Sequence, residues 1–328
     1  MPGASAPGTK LLTSLGSASL RALASRTLAG YPGDRVASEA TGRATLRNVR
    51  RAFAIVGSLL LAIHAAADAP ARRIVSMNPS LTRILVALGA RDALVGVDEF
   101  SARQEPAVAS LPRVGGLYDP SLEAVVALAP DLVVLVPSRE QRDFRARLEG
   151  LHIPVLALDP IGFDQVLDTF RTLGARTGHE DAARARVDAI ASARAAVRRA
   201  TAGQARPRAV FVLTREPLFV VGRGSFLDEM IDIAGARNLG AELTETWPRA
   251  SLEWLIAAAP EVILDSDSDP QPARDYWARF ASLPAVAAGR VVAVPAAEVT
   301  LPGPDLDRAL WTLARALHGD SLSPERAP

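Results

Sequence analysis

The sequence predicts an α/β protein of two Rossmann-like α/β lobes joined by a single long rigid helix. Three observations carry this expectation. From Arg72 onward, apolar β-branched runs alternate with helical stretches over short turns, the pattern of parallel α/β units. The stretches PSLEAVVALAPDLVVL (120–135) and ASLEWLIAAAPEVILD (250–265) repeat one design: Ser-Leu-Glu, an apolar helical run, Ala-Pro, an acid and a β-branched run. Between them, EDAARARVDAIASARAAVRRATAG (180–203) is rich in strong helix formers and has no Gly or Pro before its last residue. From Glu180 to Ala200 such a helix is about 31 Å long at 1.5 Å per residue.

The elements follow in order. RRIVSM (72–77) reads as a strand ending at Asn78-Pro79-Ser80, and LTRILVALG (81–89) as an apolar helix closed by Gly89. ALVGVD (93–98) and the shorter PRVGGL (112–117) read as strands, and Ser121 opens a helix that stops at Pro130. DLVVLV (131–136) is a buried strand, REQRDFRARLEGLH (139–152) a helix and IPVLALD (153–159) a further strand. Helices are expected over 163–178 and 180–203. The alternation restarts with strands at 208–213 and 217–222 and a helix over 225–235, capped by Ser225 and ended by Gly235. The helix of 250–260, strand 261–266, helix 275–283, strand 290–295 and helix 305–319 complete the second half. The expected boundaries are 68–160 for the first lobe, 161–206 for the helical linker, 207–320 for the second lobe and 321–328 for a loose tail.

The N-terminus stands apart. Residues 1–46 are rich in Ala, Ser, Gly and Thr without periodicity, and read as a disordered extension or a misassigned start. Arg47, Arg50 and Arg51 then precede a short apolar run, Ala52 to Ile63, and Ala65-Ala66-Ala67. That is the layout of a signal peptide over 47–67 with cleavage near Ala67-Asp68, and it places the mature protein in the periplasm. The apolar run falls short of the roughly 20 residues a membrane span needs. The first 67 residues hold eight Lys/Arg against two Asp/Glu, a net of +6; with a formal total of +1 the remainder carries about −5. A mildly acidic chain is a poor binder of nucleic acid. With no cysteine there is no disulfide, thiolate metal site or cysteine nucleophile.

RIVSMNPSLTRILVALGARDALVGVDEFS, LPRVGGLYDPSLEAVVALAPDLVVL, PLFVVGRGSFLDEMIDIAGARNLG and WPRASLEWLIAAAPEVIL occur in that order across residues 72–318. Together they resemble the helical-backbone periplasmic binding proteins, the iron-siderophore, haem and cobalamin receptors of ABC importers, and most closely the cobalamin-type branch. The resemblance implies two lobes on one long helix, a metal chelate held between them, and a monomer that delivers it to an ABC permease dimer in the inner membrane. It also implies that one exposed glutamate on each lobe, Glu123 and Glu253, docks into Arg pockets of the two permease subunits. Charge-assisted Arg–carboxylate pairs would set register and on-rate. A simpler role is open to both carboxylates, since a Glu in the first turn after a Ser cap stabilises its own helix by about 0.3–1 kcal/mol.

Ligands of open α/β sheets sit at the carboxyl ends of the strands. The candidates there are Asn78, Ser80, Phe100, Tyr118, Phe219, Arg223 and Trp247, with Arg139 beside them. Phe100, Phe219 and Trp247 match places where cobalamin-binding members put aromatic rings, and flat apolar surfaces suit large conjugated ligands. Core packing for the aromatics, solvation for the arginines and helix capping for Asn78 and Ser80 are the plainer roles. In the haem-binding branch a Gly-Tyr-Met-Arg run precedes the glutamate. Here Gly116 stands at the axial Tyr and Tyr118 lies two places on, which weakens haem relative to a corrinoid, with a ferric siderophore close behind. Arg83 stands where relatives commonly carry Glu.

His152, His179 and His318 are isolated, so no bare metal site and no resident cofactor are expected. Gly222-Arg223-Gly224 lacks a dinucleotide fingerprint and there is no Gly-x-Ser-x-Gly elbow, so an enzyme is not expected. Asp265, Asp267 and Asp269 alternate as in part of a calcium loop but lack its Gly and closing Glu, and read as a polar strand end with a turn. A periplasmic sensor of the same ligand is the rival outside transport.

Overall fold

A computed structural model describes residues 69–319, apart from Glu140 and Ser268, together with Leu322. The extension 1–46, the signal peptide expected over 47–67 and, Leu322 aside, the tail 321–328 lie outside the described residues.

Each half builds a sheet from the same sequence of connections. In the first, β1 (Ile74–Ser76), β2 (Leu94–Val97), β3 (Leu132–Leu135) and β4 (Val155–Ala157) are all parallel, in the order β2-β1-β3-β4. In the second, β5 (Arg208–Arg215), β8 (Val262–Asp265) and β9 (Val291–Ala293) are parallel neighbours, as β1, β3 and β4 are. The place of β2 is shared: β7 (Arg237–Asn238) pairs in parallel with the start of β5, and β6 (Leu218–Val220) runs antiparallel along its end. The halves therefore repeat one strand order.

Parallel neighbours need crossovers, and helices supply them. The first half carries α1 (Pro79–Ala87), α2 (Glu99–Gln104), α3 (Leu122–Ala127) and α4 (Arg142–Gly150). Next come α5 (Phe163–Thr177) and α6 (Glu180–Thr201). The second half has α7 (Phe226–Ile233), α8 (Leu252–Ala258), α9 (Pro270–Ala278), α10 (Pro284–Ala287), α11 (Ala296–Val299) and α12 (Leu306–His318). Gly178, at φ 73°, ends α5 in the left-handed conformation a side chain resists, and α6 starts two residues later. The 22 residues of α6 span about 33 Å.

Period-two alternation sorts the core into three clusters. Leu132 and Val134 of β3, with Ala209 and Phe211 of β5, face a central cluster; Val133 and Leu135, and Val210 and Val212, face two separate outer ones. The central cluster runs through both halves by way of Phe170 and Leu173 of α5, Val187, Ile190 and Val197 of α6, and Leu310, Leu313 and Leu317 of α12. The long helix is thus packed into a core that the lobes share, and bending it would expose apolar surface at roughly 25 cal/mol per Å².

Two expectations shift. Residues 112–117 form no strand; Val97 N–H donates to Pro112 O and Val114 N–H to Val97 O, so the segment only edges β2 before turning at Gly115. The helix expected at 275–283 begins at Pro270, because Asp269 accepts from Gln271 N–H and Pro270 fits the first helical turn. Short elements without periodicity, α2, α10, α11 and β7, had no pattern to announce them.

Candidate functional site

The two sheets meet along segments that follow strand ends. Ile161, past β4, accepts a hydrogen bond from Phe226 N–H at the start of α7, and Phe163 N–H donates to Glu229 Oε1 at 3.0 Å. On α1, just past β1, Arg83 forms an ion pair with Asp305 and donates to Ala297 O at 3.3 Å, past β9. These links tie the two lobes together along one side of the space between them. They also account for Arg83: a shorter or acidic side chain could not bridge the lobes to Asp305.

On the first lobe, Asn78 caps α1 by accepting Ser80 N–H at 2.9 Å, while Ser80 itself is buried. Below them lies a polar network. Thr82 Oγ1 sits 2.8 Å from both Ser76 Oγ and Ser101 Oγ, and Ser101 donates to Asp98. Asp98 also accepts Phe100 N–H at 2.9 Å and Ser101 N–H at 3.0 Å, which fixes the start of α2 and with it the half-buried Phe100. Burial pushes the Asp98 carboxyl above its usual range, against the lowering effect of those donors. The Phe100 ring carries the Arg103 guanidinium 4.8 Å from its centroid. Tyr118 is 79 % exposed, and the carbonyl of its neighbour Leu117 accepts Gln141 Nε2, at the start of α4, at 3.0 Å. Past β3 and β4 a pocket of about 350 Å³ is lined by Arg139, Gln141, Arg142, Arg145 and Asp159. Burial raises the Asp159 carboxyl.

On the second lobe, Phe219 pairs with Thr214 near the end of β5 and is half-buried. Residues 246–250 run antiparallel to β6, with Val220 N–H to Pro248 O and Gly222 N–H to Thr246 O. They hold Trp247, 38 % exposed, edge-on to Phe226 with ring centroids 6.5 Å apart. Since Phe226 N–H reaches Ile161 O, Trp247 stands at the junction of the lobes. A second pocket, about 320 Å³, is lined by Thr214, Arg215, Asp265, Ser266 and Asp267. Two of the alternating aspartates, Asp265 and Asp267, prove to be a guanidinium clamp, while Asp269 caps α9. Asp265, 2 % exposed, takes Arg215 Nε at 3.0 Å and Nη2 at 2.9 Å and Trp277 Nε1 at 2.7 Å; Asp267 takes Arg215 Nη2 at 2.8 Å. The Asp265 hydrogen bond holds the Arg215 proton more firmly than usual. Sequence reasoning missed Arg215, for which only its place at the end of a strand was a signal.

Arg223 is placed elsewhere. Because β6 runs antiparallel to β5, the chain after it heads for the amino end of the sheet. There Arg223 donates to Ala241 O at 2.9 Å and lines a groove of about 750 Å³ with Arg206 and Asp232. Among the described residues no group of three or more His, Asp or Glu is arranged to hold a metal ion.

Glu123 and Glu253 are both exposed, in the first turns of α3 and α8. Ser121 Oγ caps Ala124 N–H at 3.2 Å and Ser251 Oγ caps Trp254 N–H at 3.1 Å. The backbone amide of Glu253 and the Ser251 hydroxyl hold the Glu253 carboxyl below its usual range. Both helices cover the outer cluster of their own sheet, through Val125 and Leu255.

Residues 74–298 match the family model described as periplasmic binding protein. The chain belongs to that family. It is 30 % identical over 269 residues to the cobalamin-binding protein of Halobacterium salinarum, covering 78 % of this chain and 72 % of that one. Its fold matches the crystal structure of the periplasmic vitamin B12 binding protein BtuF of Vibrio cholerae at a TM-score of 0.68 and 24 % identity, over 76 % of this chain and 97 % of that one. The periplasmic heme-binding protein BhuT, solved with two hemes, matches at 0.66 and 28 %, over 78 % and 100 %. As in these two-lobed binding proteins, two α/β lobes here share one long helix, and the role is substrate binding for an ABC importer. Among the described residues of this periplasmic binding protein no helix is long and apolar enough to cross a membrane.

Proposed function

We propose that the chain captures a corrinoid between its lobes and hands it to the permease of an ABC importer. The observation that carries this reading is a set of partly exposed rings on both lobes: Phe100 and Tyr118 on one, Phe219 on the other, and Trp247 beside Phe226 where the lobes meet. Rigid partly exposed rings on both walls suit a broad, flat, uncharged macrocycle. The cobalamin-binding relative at 30 % identity supports the same ligand class. Asn78 is half-buried at the rim and has an amide donor to offer; Ser80 and Arg223 are not part of this proposal. Export is proposed through residues 47–67 with cleavage near Ala67-Asp68. Glu123 and Glu253 are proposed to dock on the two permease subunits.

Titration of the mature protein with cyanocobalamin, cobinamide, haemin and a ferric hydroxamate siderophore, followed by tryptophan fluorescence, tests the ligand. Trp277 and Trp311 are buried and Trp254 packs on the outer cluster of the second lobe, so Trp247 should dominate the quenching, and Trp247→Phe should remove most of it. Saturable 1:1 quenching by cyanocobalamin in the micromolar range or below supports the proposal; quenching only by the siderophore contradicts it. A second reading rests on Tyr118, whose exposed phenol has no hydrogen bond among the described residues and has the donor an axial haem ligand needs. Haemin binding that shifts the Soret band and is lost in Tyr118→Phe would favour it.

A further inference from the structure

The surface of the two lobes repeats as closely as the fold does, and beyond the glutamates. Val126 is 42 % exposed and Ile256 45 %. Each lies three residues after its glutamate, hence beside it on the same helix face. Ala127 and Ala257, one step further, are exposed as well. A single half-exposed aliphatic side chain needs no explanation. The same exposure at the same register in both lobes, next to a carboxylate with no cationic partner among the described residues, does.

Both helices are also held more firmly than their length allows. With six residues in α3 and seven in α8, neither would persist alone. Val125 and Leu255 anchor them in the outer clusters, and serines cap their first turns. At the other end Ala129 and Ala259 adopt positive φ, 42° and 45°, and turn their carbonyls toward an arginine at the start of the central strand. Arg73 Nε donates to Ala129 O at 3.0 Å and Nη2 to Leu128 O at 2.6 Å; Arg208 Nη2 donates to Ala259 O at 2.8 Å. An acid next in the chain locks each arginine's own backbone: Asp131 accepts Arg73 N–H at 3.0 Å and Glu261 accepts Arg208 N–H at 2.9 Å.

We propose that each lobe meets its partner with an acid–aliphatic pair, Glu123 with Val126 and Glu253 with Ile256. The partner carries, twice, a guanidinium or ammonium group bordered by apolar surface. The inference rests on the reading that the chain docks on an importer's permease, and it adds what the permease must present. Charge complementarity selects this occupant. A second copy of the chain in an isologous contact would bring these carboxylates against each other. An anionic lipid surface would repel them. A two-subunit membrane protein offers the required site twice.

The test uses the permease–ATPase complex of the same organism in nanodiscs, with binding of the mature chain read by interferometry. Val126→Asp and Ile256→Asp should each weaken binding roughly tenfold or more, as hot-spot truncations do. Val126→Ile and Ile256→Val should stay within about threefold of wild type, since they keep an aliphatic contact. The thermal unfolding midpoint of all four variants should match wild type, because both positions are half-exposed. If Glu123→Ala and Glu253→Ala abolish binding while the two Asp variants bind like wild type, the aliphatic half is wrong and the docking reading survives. If the wild-type chain binds empty nanodiscs or itself and ignores the complex, both fall.

Discussion

At the residue scale, Asp98 and Asp265 solve the problem of a buried carboxylate in different ways. Asp98 is completely buried and surrounded by neutral donors, so desolvation wins and its pKa rises above 3.8. A raised acid stabilises the fold fully below its unfolded pKa and loses that contribution as pH rises through the folded value. Asp98→Asn keeps an N-cap acceptor and removes the charge. The stability of wild type relative to this variant is therefore expected to fall as pH rises above the ordinary carboxylate range, measured by urea denaturation; an unchanged difference would show that Asp98 does not titrate abnormally. Asp265 is instead satisfied by Arg215 and Trp277. Asp265→Ala leaves the Trp277 indole N–H without its acceptor and Arg215 with Asp267 as its remaining carboxylate, and is expected to cost about 1–3 kcal/mol in the same assay. The sequence showed Asn78 as a cap and the aspartates as a strand end. It could not show Arg215 closing over Asp265, because the two lie fifty positions apart on adjacent strands.

At the scale of elements, what was legible followed from apolar runs, helix-forming composition and repetition. The buried strands showed as continuous apolar runs between turns, the long helix as an unbroken run of strong helix formers, and the Ser-Leu-Glu helices by occurring twice. Residues 112–117 misled because Val114 alone turns inward; Pro112, Gly115 and Gly116 leave the segment pairing only along one edge. Phe219 and Arg223 sit only four positions apart, yet serve opposite ends of one sheet because β6 reverses direction. Within α6, Ile190 is fully buried in the shared core. Ile190→Ala should cost about 2–5 kcal/mol, and thermal unfolding of that variant should stay a single transition at lower temperature. Two separated transitions would mean that the lobes unfold independently and that α6 does not couple them.

At the scale of the whole molecule, two similar lobes are bound together by the central cluster behind the cleft and by the Arg83–Asp305 pair beside it. Both side chains of that pair are less than a quarter exposed, so it escapes most of the screening that weakens surface pairs. Arg83→Ala and Asp305→Ala should each destabilise by about 1–3 kcal/mol, and a double-mutant cycle should return a coupling on the order of 1 kcal/mol or more. Additive losses would make the pair incidental. Arg83 had no rationale within its own lobe in the sequence; its partner stands 222 residues away in the other lobe. The direct test of corrinoid capture is a crystal structure of the mature chain grown with cyanocobalamin. The expected density places the corrin ring between Phe100 and Tyr118 on one side and Phe219 on the other, with Trp247 at its edge. A corrinoid lodged instead in the groove beside Arg223, or a cleft left without it under saturating ligand, would contradict the proposal.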